Sequence, residues 1–208
     1  MRFAVAQKQT DDSLTLINQR GLSKIYNPMI GAACGGIHVD GGHRYRVCQS
    51  IGERMKRSQV NDIMVQADDM IRSFGFALPP FAYWSPETFK RNAAAARPII
   101  DAQCGWDITD YGTGDFEALG LFLFTLRNGR LADLQRGGGM CYAEKLLISR
   151  QDQLSPMHTH VIKAEDIINR GGATLVVELF GSDAEGRFAE DQGGPAYCDG
   201  LSRHFTPG

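Results

Sequence analysis

The chain has 208 residues, which suits one domain or one domain with an appendage. Its 43% apolar and 22% charged content is ordinary for a soluble globular protein, and a net charge of −2 gives no electrostatic case for nucleic acid or an acidic membrane surface. No apolar run approaches the roughly 18 residues of a membrane span, and no sustained apolar stretch follows Arg2 to suggest a secretory signal. The five cysteines (Cys34, Cys48, Cys104, Cys141, Cys198) are scattered and odd in number, which argues against a disulfide framework and for a reducing cytoplasm.

Residues 1–54 read differently from the remainder. The glycine-rich stretch from Gly31 to His43 lacks periodicity and buries too little apolar surface to offset its ordering entropy. The expectation is an unstructured extension over 1–54, with an upstream start codon as one origin. Cys34, His38, His43 and Cys48 are zinc-type donors, but their spacing matches no common zinc module. From Ser58, a good N-cap, Val60, Ile63, Met64, Ala67, Met70, Ile71 and Phe74 recur at threes and fours, predicting an amphipathic helix to Ser73 that Gly75 ends. Phe81, Tyr83 and Trp84 read as packing aromatics, with a sugar pocket as the other use. Ser85-Pro86 starts a second helix to about Ala96, which Pro98 should stop. Residues 101–118 read as loops and short strands in which Asp107, Asp110 and Asp115 shape turns. Residues 55–118 thus form an N-terminal helical arm.

From Gly120 the pattern changes to strands: 121–126, closed by Asn128-Gly129, then 140–149, 155–160 and 174–180, with one or two more within 195–205. Gly137-Gly138-Gly139 has no Lys-Ser/Thr after it, so it is no phosphate loop. Short strands with turn signals between them predict a mainly β sandwich or barrel over 119–208.

The chemistry concentrates at Pro156-Met157-His158-Thr159-His160, followed by Glu165. His158 and His160 share one face of an extended strand, and a bend after them can return Glu165 to the same point. Two imidazoles and a carboxylate without thiolates suit Mn, Fe or Co better than structural zinc. The full spacing, His-x-His, four residues, Glu165, six residues, Gly172, resembles the first motif of the cupin superfamily.

Tyr142-Ala143-Glu144-Lys145-Leu146-Leu147-Ile148, Glu165-Asp166-Ile167-Ile168-Asn169-Arg170-Gly171-Gly172, Pro79-Pro80-Phe81-Ala82-Tyr83-Trp84-Ser85-Pro86-Glu87 and the run from Gly105 to Phe116 make the match more specific. Together they resemble the D-lyxose isomerase family, from about Met55 to the last residue. The resemblance implies a jelly-roll-like cupin β-barrel and a homodimer. It implies isomerisation of D-lyxose and D-xylulose, with D-mannose and D-fructose as a related pair. It also implies His158, His160 and Glu165 as ligands to manganese (Fe, Co or Zn as alternatives), and Lys145 and Lys163 as catalytic lysines. A lysine held near a cation has its pKa lowered by repulsion, which suits proton transfer.

Two departures stand out. Asp152 occupies the place of a motif glycine, a position where aspartate tolerates a left-handed turn. The resemblance also implies a fourth histidine ligand and a further acidic residue on strands beyond Gly208, so the barrel is expected to be incomplete, with exposed edges and weaker metal binding, and the chain poorly soluble or inactive. A cupin dioxygenase and a non-catalytic sugar-binding cupin or inactive relic are the alternative functions.

Overall fold

The computed structural model describes residues 4–9, 13–21, 55–129, 131–140, 142–159, 163–182, 188–189 and 191–207. The predicted first helix is α1, Arg57–Ser73, with Ile63, Ala67 and Ile71 buried along one stripe. Its cap is Lys56 rather than Ser58, because Gln59 Oε1 accepts from the Lys56 N–H at 2.7 Å. At the other end Gly75 takes φ +70°, and its N–H reaches Arg72 O while that of Phe76 reaches Ile71 O. That pairing satisfies the last carbonyls of the helix.

The second predicted helix is two. α2 spans Pro86–Arg91, capped by Ser85 as expected, and α3 spans Ala93–Asp101 with Pro98 inside it. The break falls at Asn92, so the helix restarts there. Pro98 then forfeits one internal hydrogen bond, and its own carbonyl still accepts from Ala102.

β3 (Gly105–Thr109), β4 (Leu121–Asn128), β5 (Tyr142–Ser149) and β7 (Lys163–Asn169) belong to a five-stranded antiparallel sheet. β6 (Ser155–Thr159), β8 (Leu175–Ser182) and β9 (Phe188–Ala189) belong to a four-stranded one. A short helix α4 (Leu131–Gln135) follows β4, and among the described residues β10 (Gly194–Cys198) pairs only with β11 (Leu201–Phe205). The arrangement is mainly β and cupin-like, a partial jelly roll with no closed barrel among the described residues.

The span expected to be unstructured contributes to both sheets. β1 (Ala4–Gln9) runs between β6 and β8, and β2 (Ser13–Gly21) runs between β5 and β7. For residues 4–9 and 13–21 the expectation of disorder is therefore corrected: these segments find backbone partners on both sides, in strands far along the chain. Residues 22–54, with the cysteine–histidine group at 34–48, lie outside the described residues.

The main core lies between α1, the 3₁₀ turn Pro80–Tyr83 and one face of the five-stranded sheet. Phe122, Phe124, Leu146 and Ile148 present that face. Phe81 stacks on Phe124 at 5.6 Å, and Trp106 meets Phe124 edge-on at 4.7 Å while donating its indole N–H to Ala82 O at 2.8 Å. Phe81 thus packs on the core, as read, whereas Tyr83 lies at the surface and donates to Asp68.

Candidate metal centre

Alternation along β5 sends Leu146 and Ile148 to the helix-covered core, so Ala143, Lys145, Leu147 and Ser149 belong to the opposite face. Lys145 is buried there, 7% exposed, with its register partner Thr125 at 5%. Leu123 and Leu147 form a small apolar patch beside them. A buried ammonium is costly to desolvate unless it is matched by polar partners or serves chemistry.

Register extends this face to β7. Gln19 of β2 pairs with Ala143 on one side and with Glu165 on the other. Paired residues share a face, as do residues two apart, so Glu165 and Lys145 lie on the same side of the sheet. Glu165 is half-buried. Lys163 opens β7 two residues earlier, and His158 lies on β6 of the four-stranded sheet opposite Val5 of β1; both are placed by backbone alone. His160 lies outside the described residues. β6 ends at Thr159 and β7 begins at Lys163, so His158 and Glu165 belong to strands of different sheets. Among the described residues no three His, Cys, Asp or Glu side chains gather around one point. The structure thus joins Lys145 and Glu165 on one face and leaves the convergence of the two histidines with them unassigned.

Sequence reasoning missed the framework that leads into β6. Asp152 has φ +56°, as expected for a residue in the place of a motif glycine. Next to it Gln153 is 2% exposed; its amide donates to Phe116 O at 2.5 Å and accepts from the Arg150 N–H at 3.1 Å. Leu154 exchanges backbone hydrogen bonds with Ala118 and Gly120. The room for this is made by glycine, since a Cβ on Gly120 would sit 2.3 Å from Phe116 O. Gln153 carries no signal in the sequence, because its two partners are backbone groups.

The aspartates of 101–118 behave as predicted in part. Asp110 accepts from the N–H groups of Gly112 and Gly114, and Asp115 from that of Ala118. Asp107 lies exposed on β3. The Asp110 turn holds Tyr111 at φ +54°. Burial pushes the Tyr111 phenol up to about 12; a hydrogen-bonding contact with Ser155 works against this and the Asp107 charge adds to it. A folded-state value above the ordinary 10.0 means the unfolded chain loses its proton first as pH rises. Stability should therefore be complete below pH 10 and fall toward pH 12, by at most about 2.7 kcal/mol for the whole shift and by less for a ring that solvent partly screens. Urea midpoints of the wild type and Tyr111→Phe between pH 9 and 12 check this; the variant should lack that part of the alkaline loss.

Residues 55–208 match the family model described as D-lyxose isomerase. A D-lyxose/D-mannose isomerase of Escherichia coli O157:H7 is 41% identical over 155 residues, covering 74% of this chain and 67% of that protein. A D-lyxose/D-mannose isomerase of Serratia proteamaculans is 43% identical over 137 residues, covering 65% of this chain and 59% of that protein. Each match thus spans about two thirds of the relative's length or less, and β1 and β2 precede the segment that matches the family. With more than half of the chain matched by the family model, this protein belongs to the D-lyxose isomerase family, a family of sugar isomerases.

Proposed function

We propose that the chain is a metal-dependent aldose–ketose isomerase interconverting D-lyxose and D-xylulose, with D-mannose and D-fructose as a second pair, acting in the cytoplasm as a homodimer. The observation that carries this is the buried Lys145 on the same sheet face as the half-buried Glu165. The donor set of His158, His160 and Glu165, two imidazole nitrogens and a carboxylate, fits a divalent first-row ion, manganese first and iron, cobalt or zinc after it. When bound, such an ion polarises a carbonyl as a Lewis acid.

The reaction moves one proton from C2 to C1 and another from the C2 hydroxyl oxygen to the C1 oxygen as the carbonyl passes from C1 to C2, so it balances without a co-reactant. Lys145, buried on this face, exchanges the carbon-bound proton. Lys163, at the start of the Glu165 strand, serves the sugar oxygens. A dioxygenase with the same ligands has no need of a buried lysine on this face.

The test is turnover of purified chain loaded with Mn(II). D-lyxose should yield D-xylulose, and in D₂O the product should carry deuterium at C1. Chelation and Glu165→Gln should each remove at least 90% of the rate. A chain that holds Mn(II) yet converts neither D-lyxose nor D-mannose, or that consumes oxygen, would overturn the reading.

A further inference from the structure

The sheet face that carries Lys145 has a second polar end. Lys145 of β5 pairs with Thr125 of β4, and Leu147 is joined through Leu123 to Asp107 of β3. Asp107 therefore lies two strands and two residues from Lys145, on the diagonal away from Glu165. At ~4.8 Å per strand and ~3.4 Å per residue, the two Cα atoms are roughly 12 Å apart. A lysine and an aspartate side chain leave room for a few carbon atoms within that span. Its floor is the buried Leu123, Thr125 and Leu147, and Asp107 is exposed, so this end opens to solvent.

Tyr111 stands just past β3, in a left-handed conformation that disfavours any residue with a Cβ. The turn is pinned from both sides. Thr109 Oγ1 accepts from the Tyr111 N–H at 3.0 Å, and Asp110 accepts from Gly112 at 2.9 Å and Gly114 at 3.1 Å. Glycine would adopt this φ freely, so the turn alone does not call for a tyrosine. What the strained position provides is a half-buried phenol in hydrogen-bonding contact with Ser155, within reach of the Asp107 charge. Ser155 is buried and opens β6, so the phenol spans from the end of one sheet to the other. A phenol both donates and accepts, and the Ser155 contact uses one of these capacities. Backbone strain held in place by its surroundings is a mark of ligand-handling positions.

We propose that Tyr111 is a specificity-determining residue whose phenol meets a sugar hydroxyl remote from the carbonyl, on C4 or C5. The inference rests on the isomerase reading above, in which Lys145 faces C1 and C2.

Steady-state kinetics of the full chain loaded with Mn(II), on D-lyxose and its 4-deoxy and 5-deoxy analogues, test this. Tyr111→Phe should raise KM for D-lyxose about 5- to 10-fold, the scale of one lost hydrogen bond, with kcat within about twofold. On one of the two analogues the variant and the wild type should have the same KM, because the partner hydroxyl is already gone. An unchanged KM, a loss in kcat alone, or an equal loss on all three sugars overturns the proposal; a purely structural role would give the last. Urea midpoints show whether Tyr111→Phe is folded. If it is not, Tyr111→Asn takes its place, since asparagine tolerates the left-handed turn and is too short to reach the sugar. Calorimetry with D-arabinitol, the polyol formed by reducing D-lyxose, needs no turnover and should show the same 5- to 10-fold weakening, again about one hydrogen bond. Binding that depends on Tyr111 in a chain without turnover puts the fault in the isomerase reading and leaves this site standing. Turnover with D-arabinitol binding indifferent to Tyr111 puts the fault here. A wild type that neither binds D-arabinitol nor turns over overturns both.

Discussion

Deletion of residues 1–21 is expected to abolish cooperative folding. β2 is a central strand of its sheet, paired with β5 from Ser13 to Arg20 and with β7 from Thr15 to Gly21. β1 is likewise internal, between β6 and β8. Removing both strands opens four interior edges, and an open edge invites pairing with other chains. At about 1 kcal/mol for each net backbone hydrogen bond, losing these ladders exceeds the 5–15 kcal/mol that a typical domain has in hand. Circular dichroism and size-exclusion chromatography of residues 22–208 against the full chain provide the check. The shortened protein should be aggregated and lack a sigmoidal melt. A monodisperse, cooperatively melting deletion would mean that β1 and β2 are dispensable.

Lys145→Met is expected to lower kcat by at least about 100-fold, the scale of a lost general acid–base group, and to leave Mn(II) binding within a few fold of the wild type. The substitution keeps the length of the side chain within the buried face and removes only its titratable end. Parallel measurement of kcat, KM and bound Mn(II) separates the outcomes. Loss of metal together with turnover would make Lys145 part of the framework. Unchanged turnover would remove it from the mechanism.

Helices were the most legible part of the sequence. The repeat from Val60 to Phe74 and Gly75 marked α1 to within a residue or two, because a helix writes its buried stripe locally. Its start was misplaced because Ser58 is the better cap residue, yet Gln59 had an amide oxygen free for the Lys56 N–H. Pro98 misled for a similar reason: the break at Asn92 was invisible, so the proline counted as a stop instead of an interior position. Most strands from Gly120 onward were recognisable by composition, but β7, which carries Glu165, was not expected as a strand.

β1 and β2 were not. Ala4–Gln9 and Ser13–Gly21 are short and only partly alternating, and their partners lie beyond residue 140. Strand stability comes from cross-strand neighbours that local sequence does not contain. Of the candidate site, the motif identified the residue types, but the shared face of Lys145 and Glu165 depends on a register set by β2. Gln153 remained hidden because nothing near it in sequence predicts a buried amide bonded to Phe116.

The interior position of β2 has a consequence for synthesis. The segment leaves the ribosome well before β5 and β7, which flank it and are made more than a hundred residues later. At 5–20 residues per second the wait is on the order of ten seconds. Until then a segment with Leu14, Leu16 and Ile17 has neither neighbour, so the nascent chain is exposed to off-pathway association for as long as translation lasts. Slower translation should lower the soluble yield of this protein.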